Sequence, residues 1–319
     1  MPFLNSRIFF LILILVSLGR ENLFSQEKCS FYYFSIGSQD YGYSPNQEMG
    51  FIGFSNLEYS NYSAKIFSYS CKKLGSKKGV LLASSKKRPL TKEVILSNLG
   101  DFIKVIKKEK SKNKLLLIYY CGHGIGEKET QMQFAMPSDF LYNYEKKFNN
   151  DPLNKYAINQ NSIKSIIQKL DGSLQFLILF DCCYELSAEN ITINNIDSSE
   201  SETLKTNKYG SHKYQDVRNQ TIFWALRDLS ITPIIVASQP GKSINFVSSP
   251  LVEDKLCVGP LSRRFYLAVE QLENNSILLS DLVRMIKDKN LDLQTNPPYI
   301  RDGLEQTGVW QDLLSLKIK

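Results

Sequence analysis

The chain carries only two histidines, and one stands between glycines at the end of an apolar run: Tyr119-Tyr120-Cys121-Gly122-His123-Gly124. A second apolar run ends in Phe180-Asp181-Cys182-Cys183-Tyr184. One run delivers an imidazole and the other delivers thiols. An imidazole that takes the proton of a thiol makes a thiolate nucleophile, and it can return the proton to a leaving amine. Gly124 lets backbone approach a substrate closely, and its N–H is a candidate oxyanion donor. Taken singly these residues say little. A lone histidine after a strand is more often structural, and a buried cysteine is usually an inert small hydrophobe. Their joint occurrence at two strand ends carries the reading. His212, between Ser211 and Lys213 in a polar stretch, reads as a solvated side chain. Gly122, Gly124 and Gly126 have the look of a phosphate-cradling loop, but Glu127 stands where the dinucleotide pattern needs its third glycine.

The two ends can meet only if their strands are neighbours in one sheet. Lys114 to Cys121 and Leu174 to Phe180 are nearly continuous apolar runs, as in strands buried on both faces. Phe31 to Gly37, Val80 to Ser84 and Pro233 to Ser238 read as further strands. Leu57 to Leu74, Lys92 to Lys108, Asn159 to Leu170, Leu261 to Leu272 and Leu279 to Asp288 read as helices between or after them. Thr91 is the expected N-cap of the second. Buried strands alternating with amphipathic helices imply an α/β fold with a mostly parallel sheet covered on both faces. Ligands in such folds bind at the carboxyl ends of the strands, where His123 and the cysteine pair fall.

Composition bounds the rest. A chain of 319 residues that is 43% hydrophobic can bury a core, which excludes disorder. The formal charge of +7 is mild and its signs are interspersed, so no nucleic-acid partner is expected. No apolar run is long enough for a multi-pass membrane protein. Met1 to Arg7 is short and basic, Ile8 to Val16 is uninterruptedly apolar, and small residues follow. That pattern reads as a secretory signal peptide over residues 1–26, with an uncleaved anchor as the alternative. An exported (periplasmic or secreted) protein follows, with no stable membrane insertion after signal removal. Export makes disulfides plausible among the six cysteines, while the absence of CxxC pairs argues against structural zinc. Ser187 to Asn219 is polar and reads as an exposed loop, starting just after a core strand.

The two strand ends together resemble the caspase and metacaspase cysteine peptidases. Phe134-Ala135-Met136-Pro137-Ser138-Asp139, Ile235-Val236-Ala237-Ser238-Gln239-Pro240-Gly241 and Gly259-Pro260-Leu261-Ser262-Arg263-Arg264-Phe265 extend the resemblance, in the family's order, over roughly residues 30 to 295. It implies a caspase-like three-layer sandwich with a six-stranded sheet. The implied domain runs over 27–295: a large-subunit-like part to about 186, a linker loop 187–219 and a small-subunit-like part 220–295. A C-terminal extension, 296–319, follows. By the same resemblance the catalytic dyad is His123 and Cys183, the Asp-x-Cys spacing selecting Cys183 over Cys182. Gly124 and Cys183 N–H groups form the oxyanion hole. Asp181, Ser238 and Gln239 bind a protein or peptide substrate, with Asp181 selecting Arg or Lys. Self-cleavage is expected in the 187–219 loop, near Lys205, Lys208, Lys213 or Arg218. No metal and no cofactor is implied, and residues for a calcium site are not assignable. Three departures stand out: Tyr184-Glu185-Leu186 replaces His-Ser-Gly, Ile125-Gly126 replace acids, and Tyr62-Ser63-Ala64 replaces Asn-Asp-Ala. The first two favour the alternative of a catalytically silent domain that binds a protein partner, and the third loosens the assignment to a subfamily. Oligomeric state is not legible.

Overall fold

The structure is a computed structural model that describes residues 29–41, 51–54, 56–127, 132–138, 142–143, 157–183, 191–193, 232–238, 244–251, 256–272, 277–300 and 307–318. Six strands form its main sheet: β1 (Ser30–Gly37), β2 (Lys78–Ala83), β3 (Lys114–Cys121), β4 (Gln175–Asp181), β5 (Ile234–Val236) and β6 (Tyr299–Ile300). Their order is β6-β5-β4-β3-β1-β2. The first five run parallel, and β6 pairs antiparallel with β5.

Alternation along the strands sends side chains to two separate cores. Phe31, Tyr33, Leu115, Leu117, Tyr119, Leu177 and Leu179 face one side, and Tyr32, Phe34, Leu116, Ile118, Tyr120, Ile178 and Phe180 face the other. Both sets are buried, which explains the nearly continuous apolar runs. Helix α1 (Ser60–Lys73) covers the first face together with α4 (Pro260–Glu270), α5 (Leu279–Lys287) and α6 (Gly308–Leu314). Helices α2 (Lys92–Lys107) and α3 (Gln160–Leu170) cover the second. Thr91 caps α2 by accepting the Val94 N–H at 3.1 Å, and Asn159 caps α3 by accepting that of Ser162 at 2.8 Å. Arg264 is fully buried in α4 and donates to the carbonyls of Ile286, Asp292 and Thr295, tying α5 and the turn after it to the core.

Two expectations change. The domain does not stop at residue 295. Tyr299–Ile300 completes the main sheet, and Trp310, 1% exposed, joins the first core with Leu313 and Ile318. The Cys29 N–H also donates to the Lys317 carbonyl at 3.0 Å, so the segment expected as an extension closes the fold beside its start. Within the expected 187–219 loop, the β-branched Ile191–Ile193 forms a strand antiparallel to Phe51–Phe54. The remainder of that loop, like the signal peptide expected over residues 1–26, lies outside the described residues. No helix among the described residues is long and apolar enough to cross a membrane.

Candidate active site

Strand register brings the two chemical ends together. Cys121 of β3 pairs with Asp181 of β4, on neighbouring parallel strands spaced about 4.8 Å apart. His123 and Cys183 each stand two residues beyond that pair. The turns that carry them touch: a Cβ added at Gly124 would fall 2.3 Å from Cys182 Sγ and 3.0 Å from the Cys183 carbonyl oxygen. Only glycine fits there. The N–H groups of Gly124 and Cys183, the expected oxyanion donors, belong to these two touching turns.

His123 is 4% exposed and held by two tyrosines. Its backbone N–H donates to Tyr41 Oη at 2.7 Å, and its carbonyl accepts from Tyr120 Oη at 3.1 Å and from the Met136 N–H at 3.0 Å. The two hydroxyls lie 3.1 Å apart. The Tyr41 ring also stands edge-on to the imidazole, with centroids 4.7 Å apart. Gly122 makes room for this clasp, since a Cβ there would lie 2.4 Å from Tyr120 Oη and 2.5 Å from Tyr41 Oη. Burial pushes both phenols upward in pKa, so they stay protonated.

The cysteine turn is held from the other side. Gln133, fully buried, donates through Nε2 to the Cys183 carbonyl at 2.9 Å and to Cys182 Sγ at 3.2 Å. Ser238 Oγ donates to the Cys182 carbonyl at 3.4 Å, which places this expected substrate-binding residue on the cysteine turn. Gln239 lies outside the described residues. The two cysteines differ sharply. Cys182 is fully buried in the core beneath α2 and α3, whereas Cys183 is 8% exposed. Cys183 Sγ accepts the Ile244 N–H at 3.4 Å and lies 3.9 Å from the Ile244 carbonyl oxygen. Burial pushes the Cys183 thiol above its ordinary value, and the Ile244 N–H opposes that shift. At rest the group is a thiol that needs a base.

Asp181 is placed otherwise than expected. Its carboxylate is fully buried and accepts the N–H groups of Leu261 at 3.1 Å and Ser262 at 2.8 Å, and the Tyr119 hydroxyl at 2.7 Å. Leu261 and Ser262 are the second and third residues of α4, whose first is Pro260. The carboxylate therefore satisfies open donors at a helix N-terminus, where negative charge is favoured. It faces α4 and not a substrate side chain, which removes the residue assigned to Arg or Lys recognition. Desolvation raises its pKa above the ordinary carboxyl value, against the pull of its three donors.

Tyr41, Tyr120 and Gln133 escaped the sequence reading. Tyr120 sits in a strand whose apolar run hides its hydroxyl, and Tyr41 lies beyond the end of β1, outside any helix or strand. Gln133 did leave a signal, as a polar residue within the apolar strand Met132–Ala135. All six cysteines are unpaired thiols, five of them buried, so the disulfides considered for an exported protein are not formed here. Among the described residues no group of three or more His, Cys, Asp or Glu side chains could hold a metal ion.

Residues 60–192 match the family model of the metacaspase, peptidase C14 domain. That span contains His123, Asp181 and Cys183. Similar solved structures include a Geobacter sulfurreducens protein, at 9% identity and TM-score 0.43, covering 86% of this chain and 92% of that one. Another is pro-sf-caspase-1, at 11% identity and TM-score 0.42, covering 88% and 90%. No curated protein matches the chain.

Proposed function

We propose that the chain is an exported cysteine endopeptidase working through His123 and Cys183. The metacaspase-like match supports cysteine-peptidase chemistry at the level of class. The observation that carries the finer reading is the contact between the His123-Gly124 and Cys182-Cys183 turns. In the proposed cycle His123 accepts the Cys183 proton and the thiolate attacks the scissile carbonyl carbon. The N–H groups of Gly124 and Cys183 hold the oxyanion. Collapse of the tetrahedral intermediate expels the amine, which takes the proton from His123 and leaves an acyl-enzyme that water hydrolyses. Self-cleavage in the 187–219 loop belongs to the same proposal. A preference for Arg or Lys would need a carboxylate other than Asp181.

One observation favours a second reading, a silent domain that binds a protein partner. The Ile244 backbone covers Cys183 Sγ, as a domain with no use for its thiol would allow.

Hydrolysis of fluorogenic peptides ending in Arg, Lys or Asp, by the chain and its Cys183→Ala variant under reducing conditions, separates the two. Turnover that the variant abolishes supports the peptidase. No turnover on any peptide, and no labelling of Cys183 by an acyloxymethyl ketone peptide, supports the silent domain.

A further inference from the structure

The backbone that meets the Cys183 sulfur comes from 61 residues further along the chain. The Ile244 N–H donates to Cys183 Sγ at 3.4 Å, and the Ile244 carbonyl oxygen lies 3.9 Å from the same atom, as an acceptor for the S–H. One residue therefore offers the sulfur a partner in each protonation state. A neutral thiol is a weak donor and gains little from the carbonyl. A thiolate is a charged acceptor, and hydrogen bonds to charged groups are the stronger kind. The closer of the two contacts is the one that favours the thiolate.

This donor is held in place before any proton moves. Ile244 and Phe246 pack against the first core, and the Phe246 ring stands edge-on to that of Tyr59, with centroids 5.9 Å apart. Val247–Ser248 pairs antiparallel with Cys257–Val258, and the Ser249 N–H donates to the Leu256 carbonyl at 2.8 Å. Arg263 of α4 donates to the Ser248 carbonyl, and Tyr62 Oη of α1 lies 3.2 Å from Ser249 Oγ. Residues 244–249 are thus tied to two helices, and the N–H reaches the sulfur at no cost of reorganisation. Burial disfavours the charged sulfur, and the Ile244 N–H is the largest contribution against that effect. The ionisable neighbours come from every side. The buried Asp181, two residues upstream, also disfavours the thiolate. Cys182 turns its thiol into the opposite core, while His123 and Tyr41 stand at the touching turn. Tyr59, Tyr62, Cys257 and Arg263 flank the 244–249 segment.

We infer that the Ile244 backbone N–H is a catalytic donor, the group that stabilises the Cys183 thiolate. It acts one step before the N–H groups assigned to the oxyanion, and on the sulfur instead of the substrate oxygen. As the S–H proton passes to His123, the electron pair stays on Sγ, and the N–H stands where that charge develops. The same donor receives the sulfur again when water releases the acyl group. The inference rests on Cys183 being the nucleophile of the proposed peptidase. It also gives the Ile244 contact a use that simple cover over an idle thiol lacks.

The test is the pH dependence of alkylation of Cys183 by iodoacetamide in the full chain. Mass mapping of the labelled peptides separates Cys183 from the other cysteines. Ile244→Pro removes the N–H and keeps an apolar side chain, whereas Ile244→Val retains the N–H. The Val variant should match the parent. The Pro variant should move the midpoint for Cys183 up by about one pH unit or more and slow its labelling at pH 7 about tenfold, as loss of a hydrogen bond to a charged acceptor requires. An ester in place of the Ser243–Ile244 amide deletes the same N–H without fixing the backbone, and it decides the matter if the Pro variant folds poorly. Parent-like labelling of the Pro and ester variants, with an unchanged midpoint, would overturn the inference. So would faster labelling of either, which would make the segment a cover. Alkylation needs no turnover, so failure of the peptidase reading shows separately, as a chain that cleaves no peptide while its Cys183 still shows the shift.

Discussion

Gly124 and Cys182 approach so closely that a Cβ at position 124 would stand 2.3 Å from the Cys182 sulfur. The obstacle is an inner-core side chain on a held turn, not the tip of a flexible one. Gly124→Ala must therefore push the histidine turn away from the cysteine turn. We expect it to cost about 1–3 kcal/mol of stability, as overpacking does, and to slow labelling of Cys183 by a peptide warhead at least tenfold. Urea unfolding and labelling rates, measured on the same samples, check both effects. Unchanged labelling would show that the contact does not set the geometry of the dyad.

Tyr41 fixes His123 through its hydroxyl and its ring, and the two roles can be separated. Tyr41→Phe keeps the edge-on ring but removes the hydroxyl that accepts the His123 N–H, while the Tyr120 hydroxyl keeps its bonds to the His123 and Met136 carbonyls. A buried donor left unsatisfied costs about 1–3 kcal/mol. Because the lost contact positions the imidazole and touches no substrate, kcat should fall about tenfold with KM little changed. Steady-state kinetics on the best fluorogenic peptide decide this, and a change confined to KM would contradict it.

Asp181 offers a sharper test, since two roles for it predict opposite outcomes. As the acceptor for α4, its replacement by Ala strands the N–H groups of Leu261 and Ser262 and the Tyr119 hydroxyl. We expect a loss of about 3 kcal/mol or more. Asp181→Asn keeps one carbonyl acceptor and should lose less. Neither variant should alter the ratio of Arg-directed to Asp-directed cleavage. A collapse of Arg and Lys turnover alone, with Asn folded normally, would return Asp181 to the substrate pocket.

The sheet was legible because its strands are buried on both faces. Continuous apolar runs at Lys114–Cys121 and Gln175–Asp181 leave little freedom in assignment, and Thr91 marks a helix start by side-chain chemistry alone. Tyr299–Ile300 was illegible because two residues carry no period, and only pairing with β5 makes them a strand. His123 and the cysteine pair stood out by type, since histidine is rare in this chain. Their supports were not. Tyr41 and Gln133 act through hydroxyl and amide contacts across long stretches of sequence, and Asp181 reads as a site residue until α4 is seen to end on it.

The buried thiols and phenols give stability a definite pH dependence. Desolvation pushes Cys29 up to about 12 and raises Cys71, Cys182, Tyr119 and Tyr120 well above their ordinary values. In the unfolded chain thiols ionise near about 8.5 and phenols near about 10. Above about pH 8.5 the unfolded state therefore binds fewer protons than the folded one, and stability falls as pH rises. The contribution of Cys29 is fully present below about pH 8.5 and is lost by about pH 12. Urea midpoints in reductant should hold between pH 7 and 8 and drop progressively from pH 9 to 10.5. Each fully buried thiol contributes at most about 1.4 kcal/mol per pH unit to that slope. Cys71→Ala should lower stability at neutral pH through its cavity yet flatten the alkaline slope, because it removes one proton that only the folded state retains. A parallel slope in that variant would mean that Cys71 reaches water before the chain unfolds.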